Sequence, residues 1–199
     1  GAAPIAHDLG QGLVYVRVRE LPADLPARPA GRVPASVIDV RYVATTPEGA
    51  EAFMAWARFR STPRTPVFIL ANGETSAPLR AVLATHPRGT GIVVVGVPAA
   101  DFRPDVAVKE TAENERRAYA AFGEGVALAK LIADHPDKVR NDEASLSKDR
   151  VAEASADAAG DALAGGRPPP PTDFTLQRAV HLHRALAANP NLIPSYDLV

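Results

Sequence analysis

The sequence predicts an α/β fold built on a largely parallel sheet. Two observations carry that prediction. Short apolar runs with no polar face, VFIL at residues 67–70 and GIVVVGV at 91–97, suit strands buried on both sides. Strand-like segments at 36–43, 67–70 and 91–97 alternate with segments of helical periodicity, the pattern of right-handed βαβ crossovers. A chain of 199 residues with 46% hydrophobic content is enough for one domain with a real core.

The central unit is residues 65–84, TPVFILANGETSAPLRAVLA. Its apolar run is too short for a helix of its own. Asn72-Gly73 follows, residue types that tolerate φ > 0 and let the chain reverse sharply. Thr75 or Ser76 can cap the next helix, Pro78 is allowed in its first turn, and Leu79, Val82 and Leu83 form one apolar stripe. A junction of this kind presents free backbone N–H groups and a helix dipole to whatever sits there.

Ahead of this unit, residues 12–18 alternate Leu13, Tyr15 and Arg17 with Val14, Val16 and Val18, a strand with one face more buried than the other. Residues 20–36 hold Pro22, Pro26, Pro29 and Pro34, too many for a helix or a central strand. After the strand at 36–43, Thr45 or Thr46 can cap a helix with Pro47 in its first turn, Gly49 inside it, and Ala50, Phe53, Met54 and Ala57 as its buried stripe. Beyond residue 108 the pattern gives a helix over 111–122, capped by Thr111 and stopped at Gly123, and a second over 126–133. The charge-dense stretch 137–150 reads as a solvated helix or loop, and 151–171, ending GGRPPPP, as a flexible excursion. A last helix over 172–188 turns Leu176, Ala179, Val180, Leu186 and Ala187 inward.

Five of these segments resemble, in the right order, motifs of the C-terminal processing peptidases, the tail-specific serine proteases of the ClpP/crotonase fold. Residues 12–18 are similar to the family's G-Y-I-R-I strand, and 36–43 to L-I-L-D-L-R-G-N through Asp39 and Arg41. Residues 72–80 are similar to N-G-G-T-A-S-A-x-E, and 102–108 to G-x-x-P-D-x-x-V. The terminal helix is similar to D-x-x-L-x-x-A through Asp173, Leu176 and Ala179. The resemblance implies a ClpP/crotonase-like spiral of βαβ units, with 1–199 as a single domain whose core lies in 12–108 and 172–188, and no PDZ module.

Aligned without a gap, Ala77 stands at the family's nucleophile position, Ser76 one residue early, and Arg80 where the family carries Glu. The N-P-G-G that helps form the family's oxyanion hole is absent after Arg41. The segment holding the family's G-K-G, whose Lys is the general base, is reduced to Pro98-Ala99-Ala100-Asp101. A Ser hydroxyl is a poor nucleophile until a base takes its proton, so losing the Lys matters as much as losing the Ser. The resemblance therefore implies a catalytically degenerate relative acting as a peptide-binding or assembly module, with Asn72, Gly73, Thr75 and Ala77 beside its groove. Peptide or protein C-termini would be its partners, rings or trimers its form of self-assembly, and the periplasm or the exterior its location. Gly1-Ala2-Ala3-Pro4 would then be a mature end left after cleavage. The alternative is an active serine hydrolase using Ser76 as a displaced nucleophile, with Lys109 or Lys130 as its base.

Other chemistry is thinly represented. His86 is ten positions after Ser76 and points elsewhere down the helix, so no Ser/His/Asp arrangement is readable. His181 and His183 are two apart, whereas zinc pairs on helices use i, i+4, and no metal or cofactor is expected. Asp101 and Asp105 are a pair of carboxylates in a loop, where Asp105 is expected to fix the Pro104 turn. Asp39 and Arg41 point to the same side of their strand, either as a neutralised pair or as a substrate clamp. No phosphate-loop or dinucleotide-binding glycine pattern occurs. With 22 basic and 23 acidic residues there is no field to draw in nucleic acid, and no apolar run is long enough to span a membrane. The absence of cysteine rules out disulfides and thiolate sites.

Overall fold

The β-branched segments become strands in the computed structural model, which describes residues 5–27, 31–132 and 170–189. The expectations for residues 1–4, for 137–150 and for most of 151–171 lie outside the described residues. The strands are β1 (Ala6–Gly10), β2 (Leu13–Arg17), β3 (Ala35–Asp39), β4 (Val67–Leu70), β5 (Ile92–Gly96) and β6 (Val106–Ala107). They form one sheet in chain order, with β1 antiparallel to β2 and every other pair parallel. The sheet is therefore mixed but mostly parallel, and the α/β expectation holds at that level.

Among the described residues the helices are α1 (Pro47–Arg60), α2 (Ala77–Ala84), α3 (Ala112–Gly123), α4 (Leu128–Leu131) and α5 (Phe174–Ala188). Helices α1 and α2 cover one face. There Ala50, Phe53, Met54, Ala57, Leu79 and Leu83 pack on Val16, Ile38, Ile69 and Val94. Helices α3, α4 and α5 cover the other, with Ala121, Leu131, Leu176 and Val180 on Leu13, Val37, Phe68 and Val95. Burial on both faces explains why β3, β4 and β5 carry no polar side, Ser36 and Asp39 apart.

Several local expectations meet their structure closely. Thr46 caps α1, its hydroxyl accepting from the Gly49 N–H at 3.2 Å, with Pro47 at the first position. Thr111 caps α3 through the Asn114 N–H at 3.2 Å. Among the described residues the proline-rich segment before β3 has no helix or strand, and the Pro26 carbonyl accepts from the Trp56 indole at 3.0 Å, fixing it against α1.

Others need correction. β1 was not expected, because AHDLG has no β-branched residue; Gly10, Gln11 and Gly12 all take positive φ in the hairpin turn that returns it to β2. Helix α4 spans four residues rather than eight. In α5, Ala187 is exposed and His183 takes the inward place, its Nε2 donating to the Gln11 carbonyl at 2.9 Å. Among the described residues no helix is long and apolar enough to cross a membrane.

Candidate functional site

The turn between β4 and α2 is built from its own side chains. The Asn72 Oδ1 accepts from the N–H groups of Glu74 and Thr75, both at 3.0 Å. In return the Thr75 hydroxyl accepts from the Asn72 N–H at 3.1 Å and donates to the Val40 carbonyl at 3.3 Å. This Asx-type closure reverses the chain without positive φ at Asn72 or Gly73, contrary to expectation. Gly73 is required for a different reason: a Cβ there would stand 2.8 Å from the Ala99 Cβ.

Ser76 occupies the N-cap position of α2, yet its hydroxyl caps nothing. The Ser76 Oγ is sealed from solvent and has no hydrogen-bond partner, while its N–H donates to the Val43 carbonyl at 3.1 Å. No amine or imidazole, from Lys109, Lys130 or His86, lies within hydrogen-bond reach of it. Ala77, next in the helix, is exposed. Arg80 reaches back over the turn to the Gly73 carbonyl at 2.8 Å and the Thr75 carbonyl, and pairs with Asp101 at 2.5 Å. Of the four residues expected beside a groove, Asn72 and Thr75 are buried with their polar atoms engaged inside the protein; Gly73 and Ala77 reach the surface.

Behind the turn lies a buried charge cluster. Arg41 follows β3 and is fully buried. Its Nε and Nη2 donate to Asp39 at 3.0 and 2.7 Å, and its Nη1 and Nη2 to Asp173 at 3.1 and 2.8 Å. Glu115 of α3 stands 3.7 Å from Nη1 and accepts from the Asn72 amide at 3.1 Å, so the cluster touches the turn. The Tyr15 hydroxyl donates to Asp39 at 2.7 Å. With every nitrogen of Arg41 facing a buried carboxylate, the neutralised pair is what forms, and no donor is left to clamp a substrate.

No protein-family model and no curated protein matches this sequence.

Burial works against the charges of Asp39 and Arg41, but their mutual attraction prevails: Asp39 is lowered, and Arg41 is raised well above its usual value with Asp173 as the larger contributor. Tyr15 is raised well above the usual phenol range, first by burial and then by Asp39. Four carboxyl groups share one guanidinium here, and the two glutamates take up the difference. Glu110, which accepts from Asn114 at 2.5 Å, is pushed up to about 7, chiefly by burial and then by the charges of Asp173 and Glu115. Glu115 is raised too, again chiefly by burial.

Tyr42, immediately after Arg41, has φ of 62°, a conformation that bulky residues rarely adopt. Its ring meets Tyr119 of α3 edge-on at 4.7 Å, and burial pushes its hydroxyl up to about 12. Beside it Arg116 pairs with Glu74, so α3 is tied to the β4–α2 turn at the surface as well as inside.

The remaining candidates separate. Asp105 accepts from the Val94 N–H at 2.8 Å and pairs with His86 at 3.0 Å, so it joins the segment after α2 to the sheet rather than fixing its own turn. Asp101 is engaged by Arg80, and the two carboxylates have different partners. Among the described residues no group of three or more His, Cys, Asp or Glu side chains could hold a metal ion. The partnership of Arg41 with Asp173 was not anticipated. Its sequence signal was the N-cap: Asp173 accepts from the Leu176 N–H at 2.9 Å while also binding Arg41.

Proposed function

We propose that this chain is a catalytically degenerate relative of tail-specific serine peptidases, using a ClpP/crotonase-like spiral as a peptide-binding or assembly scaffold. Support for the spiral comes from the strand order, in which each parallel crossover advances one strand in the same direction. The observation that carries the functional reading is at Ser76. A nucleophilic hydroxyl needs a base within hydrogen-bond reach and a path for the electrophile, and this one has neither. Its nearest equivalent in the family's pattern, Ala77, has no reactive atom.

The buried cluster fits the same reading. Arg41, Asp39 and Asp173 join strand, turn and terminal helix, and they spend their hydrogen-bonding capacity on each other. The surface left for a partner is the rim around Gly73, Glu74 and Ala77. Its test is covalent: the purified protein is treated with a fluorophosphonate probe and its intact mass measured, with peptide-array retention in parallel. Peptide retention without labelling is expected, and labelling that maps to Ser76 overturns the reading in favour of a displaced-nucleophile hydrolase.

A further inference from the structure

At the C-terminal end of α3 lies a groove that none of the chemistry above uses. It lies between β1, the end of β2 and the α3–α4 segment, with a volume of about 890 Å³. That is within the roughly 300–1,000 Å³ typical of small-molecule sites. Phe122, Val126, Leu128 and Ile5 give it apolar walls.

Arg17 is the polar group held in position there. Its guanidinium carbon sits 3.7 Å from the centre of the Tyr119 ring and 4.5 Å from that of Phe122. Its Nη2 donates to the Tyr119 carbonyl at 2.8 Å and its Nε to the Tyr15 hydroxyl at 3.4 Å. Stacked and hydrogen-bonded on one edge, the side chain is ordered before any ligand arrives. Its Nη1 lies beside Gly123, which also lines the groove; a Cβ on that glycine would be 3.4 Å from it, so nothing but bare backbone flanks the nitrogen there.

Among the described residues no carboxylate lies within ion-pair distance of Arg17. The two carboxylates lining the groove are occupied by backbone. Asp8 accepts from the Gly10 N–H at 2.8 Å, and Asp24 from those of Arg19 and Glu20 at 2.8 and 2.9 Å. A half-buried cation beside apolar walls, with an open edge and no carboxylate in direct contact, is complementary to an amphipathic anion. Arg17 and Arg19 against Asp8 and Asp24 leave the groove formally neutral, which favours a monoanion over a phosphate dianion.

We infer that this groove binds a small organic monocarboxylate with an apolar or aromatic body, its carboxylate on Arg17 and its body against Phe122, Val126 and Leu128. The inference is independent of the reading of Ser76. It is tested by calorimetric titration of the full chain with 3-phenylpropanoate, with 3-phenylpropanamide and acetate as controls for charge and body. Saturable binding of the acid is expected, about tenfold or more tighter than that of either control, with a similar loss in Arg17→Gln. Gly123→Val, which keeps the Arg17 charge and fills the space beside Nη1, should also weaken it, and circular dichroism checks that each variant folds. Equal affinity for acid and amide, or no saturable binding of the acid to the unaltered chain, overturns the inference. So does unchanged affinity in Arg17→Gln, or in Gly123→Val should Arg17→Gln fail to fold.

Discussion

Arg41 and Asp173, 132 positions apart in the chain, face each other through two parallel N–H···O bonds of 3.1 and 2.8 Å in a fully buried setting. Asp173 also caps α5, so one carboxylate starts the terminal helix and fastens it to the end of β3. Removing Asp173 leaves Arg41 charge-paired by Asp39 and Glu115, but it strips hydrogen-bond partners from the buried Nη1 and Nη2 and takes the cap from α5. Asp173→Ala should therefore destabilise the protein by about 2–4 kcal/mol in urea denaturation. Asp173→Asn, whose side-chain oxygen can still cap, should lose less by about 1 kcal/mol.

Glu110 makes stability fall as pH rises. Its folded pKa of about 7 exceeds its unfolded value, so the folded protein holds the proton more tightly. That contribution is complete below the unfolded carboxylate range and is lost as pH climbs through about 7. Glu110→Gln has no proton to lose. Relative to the unaltered chain it should gain about 1 kcal/mol in urea denaturation between about pH 5 and pH 8, a figure discounted because the side chain is only half buried.

His86 acts in the same direction by a different route. Asp105, opposed by partial burial and aided by the Leu83 carbonyl, raises its pKa. The resulting stability is fully present below the unfolded histidine value and disappears as pH passes the folded one. His86→Gln should flatten the stability profile above about pH 6, leaving the Glu110 component in place. Measuring both single variants and the double separates the two slopes, which should add because the groups have no common partner.

Gly73 should tolerate no side chain while Ala99 is present. Gly73→Ala places a methyl group 2.8 Å from the Ala99 Cβ and should cost about 1–3 kcal/mol. Ala99→Gly opens that space, so the double variant should recover much of the loss in a thermal-denaturation cycle.

Much of the frame was legible because its signals are local. VFIL at β4 and the Thr46-Pro47 cap with its Ala50, Phe53, Met54, Ala57 stripe depend on neighbours within a few residues. β1 was missed because an edge strand half exposed to water needs no β-branched run, and its formation depends on the Gly10-Gln11-Gly12 turn. Asn72-Gly73 was misread for the opposite reason: the residue types allow positive φ, but side-chain hydrogen bonds closed the turn first. Ser76 shows the same limit, since its hydroxyl turns away from the N–H groups it was expected to cap. The Arg41–Asp173–Glu115 cluster was beyond reach because it assembles side chains from three distant elements, a relation that no spacing rule encodes.

Whether this scaffold has lost catalysis is decided most directly by hydrolysis of an activated ester and an extended peptide, comparing the unaltered chain with Ser76→Ala. With Ser76 sealed and without a base, both proteins should turn over substrate at the same background rate. A rate above background that vanishes in Ser76→Ala would contradict it.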